Sequence, residues 1–165
     1  MVEAIKEYGN IDITVLSEEQ MRAILKKVET LDPKEIARAN RGLLISLLFE
    51  EFAEKHLLQP HHIIDHPIET TPLCKLHRDP QLRKERFVER FESFILGTEI
   101  CNSYTELNDP ELQRELLEKQ QQARVEGDTE AHPLDEEFIE SICQGMPPCA
   151  GIGIGIDRLV MLFTK

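Results

Sequence analysis

A predicted β-hairpin over residues 90–107 constrains the fold of this chain more than any other stretch. Two runs rich in aromatic and β-branched residues flank Leu96-Gly97-Thr98, whose composition is typical of a tight turn. Three carboxylates, Glu92, Glu99 and Glu106, interrupt runs in which a fully buried hairpin would carry apolar residues. The hairpin is therefore expected to present at least one polar face.

The alternation of side chains along a strand sorts the residues of the second run. Asn102, Tyr104 and Glu106 lie at i, i+2 and i+4, so they share one face. Glu99 has the opposite parity, so it lies in the turn, lies at a bulge or points to the other face. Two interpretations stay open at this point. In the first, the polar face is solvated. In the second, it is a binding face on which Glu92 and Glu99 hold a hard cation. Asn102, Tyr104 and Glu106 would then accommodate an alkyl chain that ends in an ammonium group.

A second distinctive stretch, residues 151–156, alternates glycine with isoleucine. In a strand, Gly151, Gly153 and Gly155 share one face, which exposes backbone to a flat ring, while the isoleucines are predicted to pack in a core. The dinucleotide fingerprint is excluded because its sixth position here is isoleucine. Arg158 begins an apolar helical run, where a cation opposes the helix dipole. A surface salt bridge explains that placement, and so does a docked anion.

These two stretches resemble the C-terminal part of class II lysyl-tRNA synthetases. Residues 99–110 (EICNSYTELNDP) resemble the amino-acid pocket of the lysine enzyme, and residues 145–158 (GMPPCAGIGIGIDR) resemble motif 3. The resemblance is tight from about residue 60 to residue 165. It implies an α/β fold of the α+β type, in which a mixed or antiparallel sheet, built from the hairpin and the glycine strand, is flanked by helices.

The resemblance also implies an ATP site. Glu92 and Glu99 would bind Mg²⁺ that bridges the ATP phosphates, and the three glycines would form the floor under the adenine. Arg158 would act in catalysis, because it would hold the γ-phosphate and the leaving pyrophosphate. Adenylation of a carboxylic acid needs mainly such positioning and charge stabilisation.

A lysine pocket is implied by the same resemblance. Asn102, Tyr104 and Glu106 would line it, with Glu106 as the partner of the substrate ε-ammonium. A charge-assisted pair of this kind contributes on the order of 1.5–3 kcal/mol. Lysine would then be preferred over an uncharged analogue by roughly tenfold to a hundredfold.

Composition limits the function classes. A length of 165 residues with 41% hydrophobic residues suits one globular domain. The net charge of −12 lacks the basic surface of a freestanding nucleic-acid binder, so the tRNA contacts of a parent enzyme would lie mostly elsewhere. No signal peptide or membrane-length apolar run is found, and the four cysteines form no C-x-x-C pair. A cytoplasmic location is expected.

The chain is predicted to divide into a helical subdomain, residues 1–57, and the C-terminal part of the catalytic core, residues 58–165. The first part contains nothing that suggests chemistry, and its longest helix is predicted over residues 42–56. Residues 74–84 are interpreted as an exposed loop. Helix-start signals occur at Ser17, Asp32, Asp109 and Asp135, and the helix after Asp109 is predicted to end near residue 126.

Several parts of the family pattern have no counterpart, namely motif 1, motif 2 and an anticodon-binding domain. We therefore expect an excised portion of a larger, homodimeric synthetase that does not activate lysine alone, and an open sheet edge that promotes self-association. Two alternatives remain. One is a paralogue that attaches a lysine-like group to a translation factor. The other is a catalytically silent module that binds a partner through acidic helices, although intact Glu92, Glu99 and Arg158 argue against it.

Overall fold

The computed structural model describes residues 1–125 and 131–164, and it folds them into eight α-helices and one four-stranded sheet. Among these residues no helix has both the length and the apolar character that a membrane span requires. The elements in chain order are α1 Val2–Gly9, α2 Glu18–Leu25, α3 Pro33–Arg38, α4 Arg41–Phe52, β1 His61–Pro67, α5 Pro80–Lys84, β2 Phe87–Ile95, β3 Thr98–Thr105, α6 Pro110–Val125, α7 Glu136–Cys143, β4 Ala150–Ile154 and α8 Ile156–Thr164.

The sheet is antiparallel throughout, in the order β1-β2-β3-β4. Strands β2 and β3 form the predicted hairpin. Its turn has positive φ at both central residues, 53° at Leu96 and 66° at Gly97, which suits the right-handed twist of the strands. The glycine strand β4 pairs with β3. The predicted α+β class, with a sheet built on these three strands, is confirmed.

The helices begin where the sequence predicted. Ser17 and Gln20 form both halves of a capping box at α2. The side chains of Asp32, Asp109 and Asp135 accept hydrogen bonds from backbone N–H groups at the starts of α3, α6 and α7. Helix α4 ends at Phe52 and is followed by a short 3₁₀ helix, Glu54–His56. The predicted end of α6 near residue 126 lies outside the described residues.

One main core joins the N-terminal helices to the sheet. Leu48 and Phe49 of α4 lie in this core with Ile63 of β1 and Phe94 of β2. The rings of Phe49 and Phe94 meet edge to face at 5.6 Å between centroids. A second cluster beneath α6 contains Cys74, Val88 and other apolar residues. The helices of the first third therefore pack directly against the hairpin, and the division at residue 57 remains a prediction.

Two sequence expectations are wrong. The isoleucine face is not buried, since Ile152 and Ile154 are 59% and 50% exposed. Strand β4 is an edge strand, and Ile152 and Ile154 belong to neither of the two buried clusters. Residues 74–84 are not simply an exposed loop either. Cys74 is fully buried, because Lys75 N and Leu107 N form backbone hydrogen bonds that attach this segment to β3 and its extension, and helix α5 follows.

Gly42 in the first turn of α4 provides space for the Glu69 side chain. A Cβ atom at Gly42 would lie 2.2 Å from Glu69 Oε2 and 3.0 Å from Glu69 Cβ. Glu69 also pairs with Arg86 at 3.2 Å. The segment after β1 is thus held against the start of α4, and it carries Thr70 toward the cavity described below.

Gly42→Ala should lower the free energy of unfolding by about 1–3 kcal/mol, because the added methyl group overpacks this contact. The usual gain of roughly 0.5–1 kcal/mol from Gly→Ala in a helix has the opposite sign. Urea denaturation measures the net change in the free energy of unfolding, which is the sum of the two contributions. In a Glu69→Ala background the same substitution should cost much less, and equal costs in the two backgrounds would refute the contact.

His66 gives a second prediction about stability. It is buried, and its Nε2 donates to Ile63 O at 3.0 Å. Burial, and secondarily the charge of Arg90, lower the pKa of His66 to about 3. His66 therefore takes up a proton near pH 6.5 in the unfolded chain, but only near pH 3 in the folded chain. The free energy of unfolding should therefore decrease as the pH is lowered through this window, by up to about 1.4 kcal/mol per pH unit.

His66→Gln should remove the His66 part of this pH dependence between pH 6.5 and pH 5, so its slope should be smaller than that of the wild type. Urea denaturation at several pH values provides the measurement. His56→Gln, at an exposed position, is the control and should keep the wild-type slope. A wild-type slope in His66→Gln would contradict the prediction.

Candidate functional site

The register of the sheet places most of the predicted site residues on one face. Glu92 lies opposite Asn102, which lies opposite Gly153. Tyr104 lies opposite Gly151, one pleat further along. Because paired residues and residues two apart share a face, these side chains and both glycines project to the same side. We refer to this side as the front face.

A β-bulge brings Glu99 to the front face. Ser93 pairs with Cys101 while Phe94 pairs with Glu99, so Ile100 is an extra residue in β3. Because of this extra residue, the side chain of Glu99 projects to the same face as those of Asn102 and Tyr104, and not to the opposite one. Of the three predicted alternatives for Glu99, the bulge is therefore the one found. Glu92 and Glu99 line the same cavity as a result.

That cavity has a volume of about 500 Å³ and is predominantly acidic. Besides Glu92 and Glu99, it is lined by Glu50 of α4 and by Glu54 just after it. The first third of the chain, in which the sequence suggested no chemistry, therefore supplies part of the cavity wall. Burial raises the pKa of Glu92, Glu50 and Glu54, and neighbouring carboxylates raise each of them further. Sequence reasoning missed both helix carboxylates, since they resemble solvated charges on an amphipathic helix.

Arg90 connects the cavity to the neighbouring strand. Its guanidinium forms an ion pair with Glu92, donates to Asn102 Oδ1 at 3.1 Å and reaches Thr70 Oγ1 at 3.4 Å. Arg90 and Glu92 are both largely buried. Arg90 counteracts the rise in the pKa of Glu92 without cancelling it. Sequence reasoning missed Arg90 too, although its position two residues before Glu92 placed it on the same face.

Arg158 lies in the first turn of α8, as predicted, and reaches back to the hairpin. Its Nη1 donates to the backbone oxygen of Glu99 at 2.7 Å and lies 3.3 Å from Glu99 Oε2. A Cβ atom at Gly155 would lie 3.2 Å from Arg158 Cδ. The glycine therefore leaves room for the arginine stem. Gly155 itself lies just beyond β4, and its N–H continues the ladder by donating to Ile100 O at 2.9 Å.

The remaining three predicted residues do not line this cavity. Asn102 is held by Arg90, Tyr104 packs against the second apolar cluster, and Glu106 follows the end of β3. Burial raises the pKa of Glu106, and burial together with the charge of Glu106 raises the pKa of Tyr104. Glu92 and Glu99 have arginine partners, whereas no ion pair or side-chain hydrogen bond of the described residues uses the Glu106 carboxylate.

A metal ion is compatible with Glu92 and Glu99, but not as a cage made of protein alone. Within residues 1–125 and 131–164, no group of three or more His, Cys, Asp or Glu side chains could hold a metal. Arginine contacts use Glu92 Oε1 and Glu99 Oε2. The other oxygen of each carboxylate has no hydrogen bond within the described part. Two carboxylate oxygens suit a Mg²⁺ ion whose other ligands are phosphates and water.

Comparison with known proteins identifies the family. The model for tRNA synthetases of class II (D, K and N) matches residues 1–165, the whole length of the chain. The chain belongs to the class II tRNA synthetase family. This result agrees with the antiparallel sheet and with the resemblance of the hairpin and the glycine strand.

Curated members of this synthetase family are similar along the whole chain. It is 54% identical to a lysine–tRNA ligase of Chlamydia pneumoniae over 100% of its length, and 53% identical to that of Chlamydia felis over 99%. It is also 46% identical to a lysine–tRNA ligase of Clostridium perfringens over 99%. The aligned region covers 31%, 31% and 32% of these relatives. The synthetase chain thus spans about a third of their length.

The paired charges of the synthetase cavity give a prediction. Arg90→Met should destabilise the chain by about 3 kcal/mol at pH 8, because it leaves the buried Glu92 carboxylate without its counter-charge. A raised carboxyl pKa means that the charged form is the unfavourable one in the folded chain. The loss should therefore be smaller at pH 5 than at pH 8, because acid favours the neutral form of the Glu92 carboxyl. Urea denaturation at the two pH values measures the difference.

Arg114→Met is the matched control. Arg114 and Glu136 form an ion pair at 2.7 Å with both side chains well exposed. The control should change the free energy of unfolding far less than Arg90→Met does at pH 8, because water and salt screen an exposed ion pair. Adding Glu92→Gln to Arg90→Met should recover much of the stability. If both arginine substitutions had equal effects, the pair in the cavity would not be a buried one.

Proposed function

We propose that this chain is part of the catalytic domain of a lysine–tRNA ligase. The main observation in support of this proposal is that the chain is 46–54% identical to lysine–tRNA ligases over nearly its whole length. The ligase would convert lysine and ATP into lysyl-adenylate and pyrophosphate, and it would then transfer the lysyl group to tRNA(Lys) with release of AMP. The front face supports this function, because an acidic cavity with two arginines lies beside a wall that carries Glu106, whose carboxylate has no cation partner among the described residues.

Lysine recognition is assigned to Asn102, Tyr104 and Glu106. The Glu106 carboxylate is partly desolvated, which raises its pKa, and it has no cation partner among the described residues. A substrate ε-ammonium would provide that partner and would favour the ionised carboxylate. The ring of Tyr104 would lie along the alkyl chain. The amide of Asn102 is oriented by Arg90 at 3.1 Å.

ATP binding is assigned to the cavity and to the glycine strand. Glu92 and Glu99 would hold Mg²⁺, which neutralises charge on the phosphates when it is bound. Arg158 would hold the γ-phosphate and the leaving pyrophosphate, and Gly151, Gly153 and Gly155 would form the floor under the adenine. The contact of Arg158 with Glu99 keeps the guanidinium at the cavity wall. A phosphate would compete for that guanidinium.

The broader setting of the protein is also part of the proposal. A ligase of this family would work with tRNA in the cytoplasm, as a homodimer. The phosphate contacts to tRNA would come mainly from regions other than this acidic chain, whose net charge is −12. We propose that the 165-residue chain alone does not activate lysine. Lysine-dependent ATP–pyrophosphate exchange by the pure chain would contradict that part.

The test uses a protein of the relatives' length that contains this chain. Glu106→Gln should raise the KM for lysine by roughly tenfold to a hundredfold in ATP–pyrophosphate exchange, with little change in the KM for ATP. Glu99→Gln should instead impair the use of Mg-ATP. Both expectations follow from which substrate each carboxylate would contact.

Glu137→Gln, on the exposed side of α7, is the control and should leave both KM values unchanged. Exchange that depends on aspartate or asparagine, and not on lysine, would overturn the assignment of substrate. If the protein shows lysine-dependent exchange but Glu106→Gln leaves the KM for lysine unchanged, the proposed ligase activity stands. The assignment of the lysine pocket to Glu106 is then wrong.

A further inference from the structure

Gly151 is covered by the Glu106 side chain. A Cβ atom at Gly151 would lie 2.7 Å from Glu106 Oε1 and 3.9 Å from its Cδ. Contacts below 3.0 Å are essentially never made by real Cβ atoms. The carboxylate therefore occupies space that any side chain at position 151 would take. At this glycine the front face is not bare backbone.

The backbone fixes the position from which Glu106 projects. Glu106 N donates to Cys149 O at 3.0 Å on one side of the strand. On the other side, Leu107 N donates to Leu73 O at 2.9 Å, and Lys75 N donates to Thr105 O at 2.9 Å. Residue 106 is thus held between two segments. Its carboxylate therefore changes position only by rotation of the side chain. The observed rotamer needs the space that the missing side chain of Gly151 leaves open.

The other glycines of the repeat differ from Gly151. At Gly153 a Cβ atom would find its nearest neighbour, Asn102 O, at 3.9 Å, which is an ordinary contact. At Gly155 it would meet the aliphatic stem of Arg158. The repeat is therefore not uniform. Two of its glycines accommodate charged side chains, and only Gly153 leaves the front face open.

We infer that Gly151 is a positioning residue for the Glu106 carboxylate, and that it acts in the choice of amino acid more than in holding adenine. This inference rests on the proposed function for its link to lysine. The contact between Gly151 and Glu106 does not depend on that link. Gly151→Ala would push the carboxylate out of its place, while the backbone of β4 could remain paired with β3.

The first test concerns the contact alone and uses the 165-residue chain. The Glu106 carboxylate carbon is followed by NMR titration in the wild type, Gly151→Ala and Gly153→Ala. Gly151→Ala should change its chemical shift and lower its pKa toward the ordinary value, because the displaced group regains water. Gly153→Ala should leave both unchanged. Unchanged values in Gly151→Ala, or equal changes in the two variants, would overturn the inference.

The second test concerns specificity and uses a protein of the relatives' length. Lysine binding is compared with binding of norleucine, which lacks the ε-ammonium, and with binding of ATP. Gly151→Ala should reduce the preference for lysine over norleucine by about tenfold and spare ATP. Gly151→Ala/Glu106→Asp should recover part of the preference, since the shorter side chain fits beside the methyl group.

The outcomes separate the two hypotheses. If the wild type does not prefer lysine to norleucine, the proposed lysine pocket fails, while the NMR result still decides the contact. If Gly151→Ala weakens ATP binding and leaves the lysine preference intact, Gly151 serves the nucleotide and the inference is wrong. A loss of preference without rescue by Glu106→Asp would mean a general distortion of β4, which also contradicts it.

Discussion

The bulge at Ile100 is the constraint on which the arrangement of the site depends. A regular strand would direct Glu99 away from Glu92, because the side chains of a strand alternate. One extra residue reverses this parity between the turn and Asn102. The same strand can therefore supply Glu99 to the cavity, Asn102 and Tyr104 to the adjacent wall, and Ile100 to the protein interior, since Ile100 is 8% exposed.

Charge balance divides the front face into two parts. In the cavity, Arg90 and Arg158 each contact one of the two central carboxylates, and Glu50 and Glu54 leave an excess of negative charge. Near Gly151, the Glu106 carboxylate has no described cation. The first part suits a metal ion with phosphates, and the second suits an organic cation. This division supports the proposed assignment of ATP and lysine to separate regions of one face.

Much of this fold was predictable because local signals agreed with the final structure. The hairpin followed from its strand composition and its turn, and the four predicted helix starts followed from side-chain caps. The face shared by Asn102 and Tyr104 followed from strand periodicity. Burial of the isoleucine repeat was predicted wrongly, because alternation identifies two faces but does not say what covers each of them.

The sequence by itself determined the elements of this protein, their polar faces and the family they resemble, since caps, turns and periodicity act over a few residues. Only the tertiary structure decided which distant groups meet. Glu50 and Glu54 join the cavity because α4 packs on the hairpin, and Arg90 connects Glu92 to Asn102 through strand pairing. The space that Gly151 leaves for Glu106 also depends on register, which no local pattern encodes.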